Sequence, residues 1–92
     1  ILDAGMTDLL RPALYQAYHK MENITSEEPV QAYDVVGPIC ESSDVFGKAI
    51  DLNKVHRGDL IALRSAGAYG EIMAFGYNCR ELPKGYTSEE LI

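Results

Sequence analysis

Residues 30–39, Val-Gln-Ala-Tyr-Asp-Val-Val-Gly-Pro-Ile, form a run rich in β-formers that is broken at Gly37-Pro38. Proline has no N–H to give to a sheet ladder, so a strand carrying this run must leave its sheet here. The polar run Cys40-Glu41-Ser42-Ser43-Asp44 follows directly and sets one thiol beside two carboxylates. Polar chemistry gathered at a strand exit is where rigid scaffolds present functional side chains.

The chain has 92 residues, enough for one small domain over 1–92 with a thin core, since a domain of this size buries about 60–65% of its unfolded surface. A hydrophobic content of 47% with 24% charged residues argues for a folded rather than a disordered chain. The net charge of -6 argues against nucleic-acid or anionic-membrane surfaces, which are bound by clustered Lys and Arg. Small molecules or proteins are the expected partners. No apolar run approaches the roughly 18 residues of a membrane span, and no basic signal region opens the chain, so a soluble, cytoplasmic protein is expected. The chain lacks a starting Met and opens on Ile1-Leu2, which reads as the tail of a strand, and a fragment of a longer protein is expected. Its two cysteines are expected as free thiols, with a disulfide conceivable.

Along the chain, Thr7 and Asp8 are candidate caps, and Pro12 suits a first helical turn. Apolar residues at 14, 15 and 18 predict a short helix that stops near Tyr18. Residues 18–25 read as a strand, and 25–28 as a loop because Pro29 restrains Glu28. A tight helical turn is expected over 42–46, a mixed polar stretch between Gly47 and Gly58, and the best core strand over 59–65, fed by the turn Arg57-Gly58-Asp59. The small residues of 65–70 allow close approach of a ligand to the backbone. A helical turn over 71–76, a strand over 77–82 and a further strand start over 86–92 complete the reading. The fold class is therefore mainly β with short helical turns.

Several side chains can carry chemistry. Carboxylates beside Cys40 favour its neutral thiol, which suits a proton donor better than a thiolate nucleophile, while the plainer alternative is a small residue at a strand end. Arg11 and Tyr15 lie four positions apart, on one face of a helix, where a guanidinium and a phenol can hold a carboxylate. They read equally well as a surface arginine and a core tyrosine. Tyr69, between Gly67 and Gly70, can bond a phosphate or stack on a ring, or simply plug a turn. His19 and His56 sit among polar neighbours and are expected in solvent, Cys79 is expected as a strand residue, and the spacing of Cys and His fits no structural zinc site.

Taken together, Asp3-Ala-Gly-Met-Thr-Asp-Leu-Leu-Arg-Pro-Ala-Leu-Tyr15, Gly37-Pro-Ile-Cys-Glu-Ser-Ser-Asp44, Ser65-Ala-Gly-Ala-Tyr-Gly70 and Tyr77-Asn78 resemble the carboxy-terminal region of the diaminopimelate decarboxylase family. These are alanine-racemase-like, fold-type III enzymes that use pyridoxal 5'-phosphate. The resemblance spans nearly the whole chain and implies a partial β-barrel or sandwich-type domain, joined in the full enzyme to a TIM-type barrel. It implies decarboxylation of meso-2,6-diaminopimelate to L-lysine, in a site shared across a homodimer. Residue by residue, it implies Cys40 as proton donor, Arg11 and Tyr15 as substrate-binding residues, Glu41 as reader of the distal ammonium, and Tyr69 as a contact of both cofactor and substrate. Asp44 is assigned to ordering the loop.

Thr7, where many relatives carry Asn or Ser, and Cys79, in place of a frequent Ser, depart from the family pattern without touching this chemistry. A Cys-Asp pair would mark the ornithine-type decarboxylases; Glu41 with the Arg11/Tyr15 pair favours diaminopimelate. A TIM barrel takes about 250 residues, so the lysine that anchors the cofactor and the phosphate-binding loop must lie outside this chain. None of Lys20, Lys48, Lys54 or Lys84 has a matching context, and the chain alone is expected to be catalytically silent. The remaining alternatives are an ornithine-type sister enzyme and a stand-alone, non-catalytic β-rich interaction module.

Overall fold

The computed structural model describes residues 1–90. In chain order the elements are α1 (Arg11–Tyr15), β1 (Met21–Asn23), β2 (Val30–Val36), β3 (Val45–Asn53), β4 (Ile61–Leu63), α2 (Gly67–Ile72) and a 3₁₀ turn at Tyr77–Cys79. β2 pairs antiparallel with β3, and β1 antiparallel with β4, giving two two-stranded ribbons. The mainly β architecture with short helices is the one expected. β2 ends at Val36, where Gly37-Pro38 forces the chain off the ladder. The Leu2 N–H donates to the Val36 carbonyl at 2.8 Å, so the opening stub runs beside the end of this strand.

Leu9, Met21, Val35, Phe46 and Leu52 form the buried core cluster, each burial contributing roughly 1.5–3 kcal/mol. Ile61, Leu63 and Ala66 pack against it only partly buried. The centre of the core is therefore the β2–β3 ribbon with Leu9 as a plug, and not the segment 59–65. That segment is the most apolar in sequence, yet its paired part is three half-buried residues.

β3 itself departs from expectation. The chain turns at Ser42 and Ser43 and then enters a nine-residue strand at Val45, where a helical turn and a mixed polar stretch were predicted. Its alternation is hidden by irregular register: Tyr33 faces Ile50, but Val35 faces Gly47 and Val36 faces Val45. Extra residues on β3 are bulges, and a bulge inverts the apolar pattern that marks a strand. Ala49 takes φ 51 there, and its N–H, released from the ladder, donates to Asp34 Oδ1 at 3.0 Å.

Other boundaries moved as well. α1 stops at Tyr15 because Gln16 adopts a left-handed φ of 54. The small-residue stretch 65–70 passes into α2 instead of remaining a loop, so the helix starts earlier than the predicted turn over 71–76. Residues 77–82 form no strand, since Asn78 and Cys79 both have left-handed φ values, 61 and 60. Residues 86–90 form no strand either, and positions 91–92 of that expectation lie outside the described residues. The turn feeding β4 is as predicted: Gly58 has φ 93, and the His56 N–H donates to Asp59 Oδ2 at 2.9 Å.

Candidate functional site

The loop at residues 37–44 is built around one buried carboxylate. Asp44 is 3% exposed, and its Oδ1 accepts the Met6 N–H at 2.7 Å while its Oδ2 accepts the Ile39 N–H at 2.7 Å. Its carbonyl accepts the Gly37 N–H at 3.0 Å. Charge-assisted bonds of this kind are about twice as strong as neutral ones. The packing tolerates no side chain at Gly37, where a Cβ would strike the Asp44 carboxylate and lie 2.6 Å from Gly5 Cα. A Cβ on Gly5 would in turn lie 2.7 Å from Ile39 Cγ1. These contacts clamp the loop onto residues 5–6, and Cys40 and Glu41 stand exposed at its outer side.

A second group forms across α1 and α2. The Arg11 guanidinium lies 5.6 Å from the ring centroid of Tyr15 and 5.5 Å from that of Tyr69. Two aromatic faces around one cation hold it by the ring quadrupoles without occupying its hydrogen-bond donors. Among the described residues no carboxylate is ion-paired with Arg11. α2 reaches this position through buried Gly70, where a Cβ would lie 3.2 Å from Leu9 Cδ1 and 3.1 Å from Ala66 Cβ. Tyr15 and Tyr69 remain 60% and 68% exposed, so the half-buried guanidinium lies next to two surface phenols, donor types suited to a carboxylate or phosphate.

The two groups are joined through the segment after α2. Phe75 N–H donates to the Thr7 carbonyl at 2.9 Å. Arg80 donates to the Asp3 carbonyl at 2.6 Å and to Asp8 Oδ2 at 3.2 Å. Between these anchors the Tyr77 hydroxyl donates to Glu41 Oε1 at 2.6 Å. That hydrogen bond, with the repulsion a phenolate would meet from the Glu41 charge, holds the Tyr77 phenol above its usual range.

Of the residues singled out from sequence, Arg11, Tyr15 and Tyr69 are in mutual reach, and Cys40 and Glu41 are neighbours on the clamped loop. No hydrogen bond or ion pair among the described residues links these two sets directly. The ordering role of Asp44 is explicit in its bonds to Met6 and Ile39. Tyr77, to which the family resemblance gives no role although Tyr77-Asn78 is part of it, is the residue that joins the segment after α2 to Glu41.

Cys79 lies in the 3₁₀ turn instead of a strand, and both cysteines are free and exposed. His56 is exposed and paired with Glu28. His19 is buried instead of solvated, with Nδ1 donating to the Arg64 carbonyl at 2.9 Å. The polar neighbours that pointed to solvent, Lys20 among them, turn outward while His19 turns in. Thr7 is fully buried, and its hydroxyl has no partner among the described residues.

The chain belongs to the pyridoxal-dependent decarboxylases: residues 1–67 match the family's C-terminal sheet domain. The similarity to individual proteins is more specific. The chain is 94% identical over 92 residues to a diaminopimelate decarboxylase of Bacteroides thetaiotaomicron, covering all of this chain and 24% of that protein. The crystal structure of diaminopimelate decarboxylase from M. jannaschii superposes with a TM-score of 0.85 at 47% identity, over 88% of this chain and 19% of that one. The Helicobacter pylori enzyme complexed with L-lysine gives a TM-score of 0.79 at 49% identity, over 87% of this chain and 20% of that one. The chain thus spans about a quarter or less of the length of these relatives.

Proposed function

We propose that this chain is the carboxy-terminal part of a diaminopimelate decarboxylase, which converts meso-2,6-diaminopimelate to L-lysine and carbon dioxide in the cytoplasm as a homodimer. The observation that carries the reading is the 94% identity over all 92 residues to a protein of that name. In this reading Cys40 gives a proton to the carbon that has lost carbon dioxide, Glu41 takes the distal ammonium, and Arg11 with Tyr15 takes the distal carboxylate. The exposed position of Cys40 and Glu41, and the half-buried Arg11 guanidinium held beside the exposed Tyr15 ring, support these roles.

Pyridoxal 5'-phosphate supplies the electron sink for such a decarboxylation. A covalent anchor requires a lysine held inside the site, and Lys20, Lys48, Lys54 and Lys84 are all exposed. The donor set of Arg11 and Tyr69 does suit an anionic group, and Tyr69 is the residue proposed to meet the cofactor. This chain therefore contributes half a site, with the anchor on the barrel portion. The remaining half fits the unusual amount of exposed apolar surface, with Leu14, Tyr18, Ile72 and Leu82 all more than half exposed.

Lysine release by the full-length enzyme, measured in wild type, Cys40→Ala and Glu41→Ala, tests the assignment. Turnover should fall about 100-fold or more in Cys40→Ala, the usual worth of a positioned acid. Wild-type turnover in both variants would refute the roles, and failure to form lysine from diaminopimelate in wild type would refute the activity.

A further inference from the structure

Glu41 stands on the outer side of its loop, and a flexible carboxylate can select one ammonium only if its orientation is fixed in advance. Tyr77 is placed to fix it. Its hydroxyl donates to Oε1 at 2.6 Å, within the range of bonds to an ionised acceptor, and this leaves Oε2 for a second donor.

The local backbone is arranged to hold Tyr77 in place. Asn78 and Cys79 directly after it both occupy the left-handed region, which costs a non-glycine residue energy and persists only where surrounding contacts impose it. Those contacts lie on both sides: Phe75 N–H on the Thr7 carbonyl at 2.9 Å before Tyr77, and Arg80 on Asp3 and Asp8 after it. The Phe75 ring packs tilted beside the Tyr77 ring, with centroids 6.4 Å apart. The hydrogen bond to Glu41 and the Glu41 charge both raise the Tyr77 phenol above its usual range, in keeping with the phenol as donor in this bond.

We propose that Tyr77 is a positioning residue that orients Glu41 toward the distal ammonium of the substrate and thereby sets selectivity for a diamino over a monoamino acid. This rests on the reading of Glu41 given under the proposed function. Tyr77 itself needs no contact with the reacting atoms. Its effect reaches the substrate through Glu41 alone.

The test is a double-mutant cycle in the full-length holoenzyme with Tyr77→Phe, Glu41→Gln and the double variant. Two quantities are read: KM for meso-diaminopimelate, and the inhibition constant of 2-aminopimelate, which keeps both carboxylates but lacks the distal ammonium. Tyr77→Phe should raise KM about fivefold or more, the loss of one hydrogen bond to a charged group, with kcat within about twofold. The 2-aminopimelate constant should not move, which also certifies a folded site. The double variant should be no worse than Glu41→Gln alone, because the side chain the phenol orients no longer carries a charge for the ammonium.

A raised KM in Glu41→Gln with an unchanged KM in Tyr77→Phe would overturn the positioning role and leave the reading of Glu41 standing. An unchanged KM in Glu41→Gln would overturn both. Equal weakening of substrate and 2-aminopimelate by Tyr77→Phe would also overturn the proposal, since a general structural defect does not discriminate between them.

Discussion

The exits of β2 and β4 both carry candidate site residues, and they are held by different physics. The first, residues 37–44, is pinned by a buried charge: the Asp44 carboxylate accepts two backbone N–H groups and presents Cys40 and Glu41. The second, leading into α2, is pinned by close packing of Gly70 on Leu9 and presents Tyr69 to Arg11. Both are fastened to the same strap, residues 3–11, which supplies Met6 to the first exit, Leu9 to the second, and Asp3, Thr7 and Asp8 to the segment that follows α2. A short loop at the start of the chain thus sets the spacing between the two groups of candidate residues.

The largest effect should come from the charged clamp. Asp44→Ala leaves the Met6 and Ile39 N–H groups without their acceptor and should cost about 3–5 kcal/mol in urea denaturation of the full-length protein. Asp44→Asn, which keeps one acceptor, should recover part of that loss. If the asparagine variant equals wild type, the negative charge is not what holds this exit.

The packed exit should respond to size instead. Gly70→Leu should cost about 1–3 kcal/mol because its side chain must displace Leu9. Gly70→Ala should stay within about 1 kcal/mol of wild type, since helix propensity gained offsets tight contacts with Ala66 Cβ and the mobile end of Leu9. A neutral Gly70→Leu would show that close approach of α2 to Leu9 is dispensable, and the contrast between the exits would collapse.

These contrasts explain what was legible in the sequence. The exit of β2 was readable because Gly37-Pro38 must stop a strand whatever surrounds it. β3 was not, because bulges opposite Tyr33 and Val35 inverted the alternation of its apolar residues. The helix at Gly67–Ile72 was obscured by two glycines with low helix propensity, one of which packs closely against Leu9. His19 looked solvated because sequence neighbours report nothing of the tertiary partner, here the Arg64 carbonyl. The site residues emerged as a family pattern, while the strap that spaces them and the Tyr77–Glu41 bond needed the fold.

The smallest effect is a titration. Tyr77 is raised by its hydrogen bond to Glu41 and by the Glu41 charge. Glu41→Gln removes the charge while its amide oxygen can still accept the phenol, so the midpoint should fall part of the way toward that of an ordinary tyrosine, read from its ring-carbon chemical shift. The sign follows from the raised value: what this bond contributes is complete below the unfolded tyrosine midpoint of about 10 and is lost as pH rises through the folded one. A midpoint that does not move on Glu41→Gln would disconnect the segment after α2 from the loop at 37–44.

The role proposed for Cys40 allows the most direct test of whether these exits carry a site. Loss of carbon dioxide needs no proton from the protein, whereas lysine requires one at the vacated carbon. In the full-length enzyme, the yield of lysine per carbon dioxide released should therefore drop well below one in Cys40→Ala, together with the rate of lysine formation. A yield that stays at one with wild-type turnover would contradict the assignment of Cys40 and, with it, the reading of residues 37–44 as the acid-bearing half of the site.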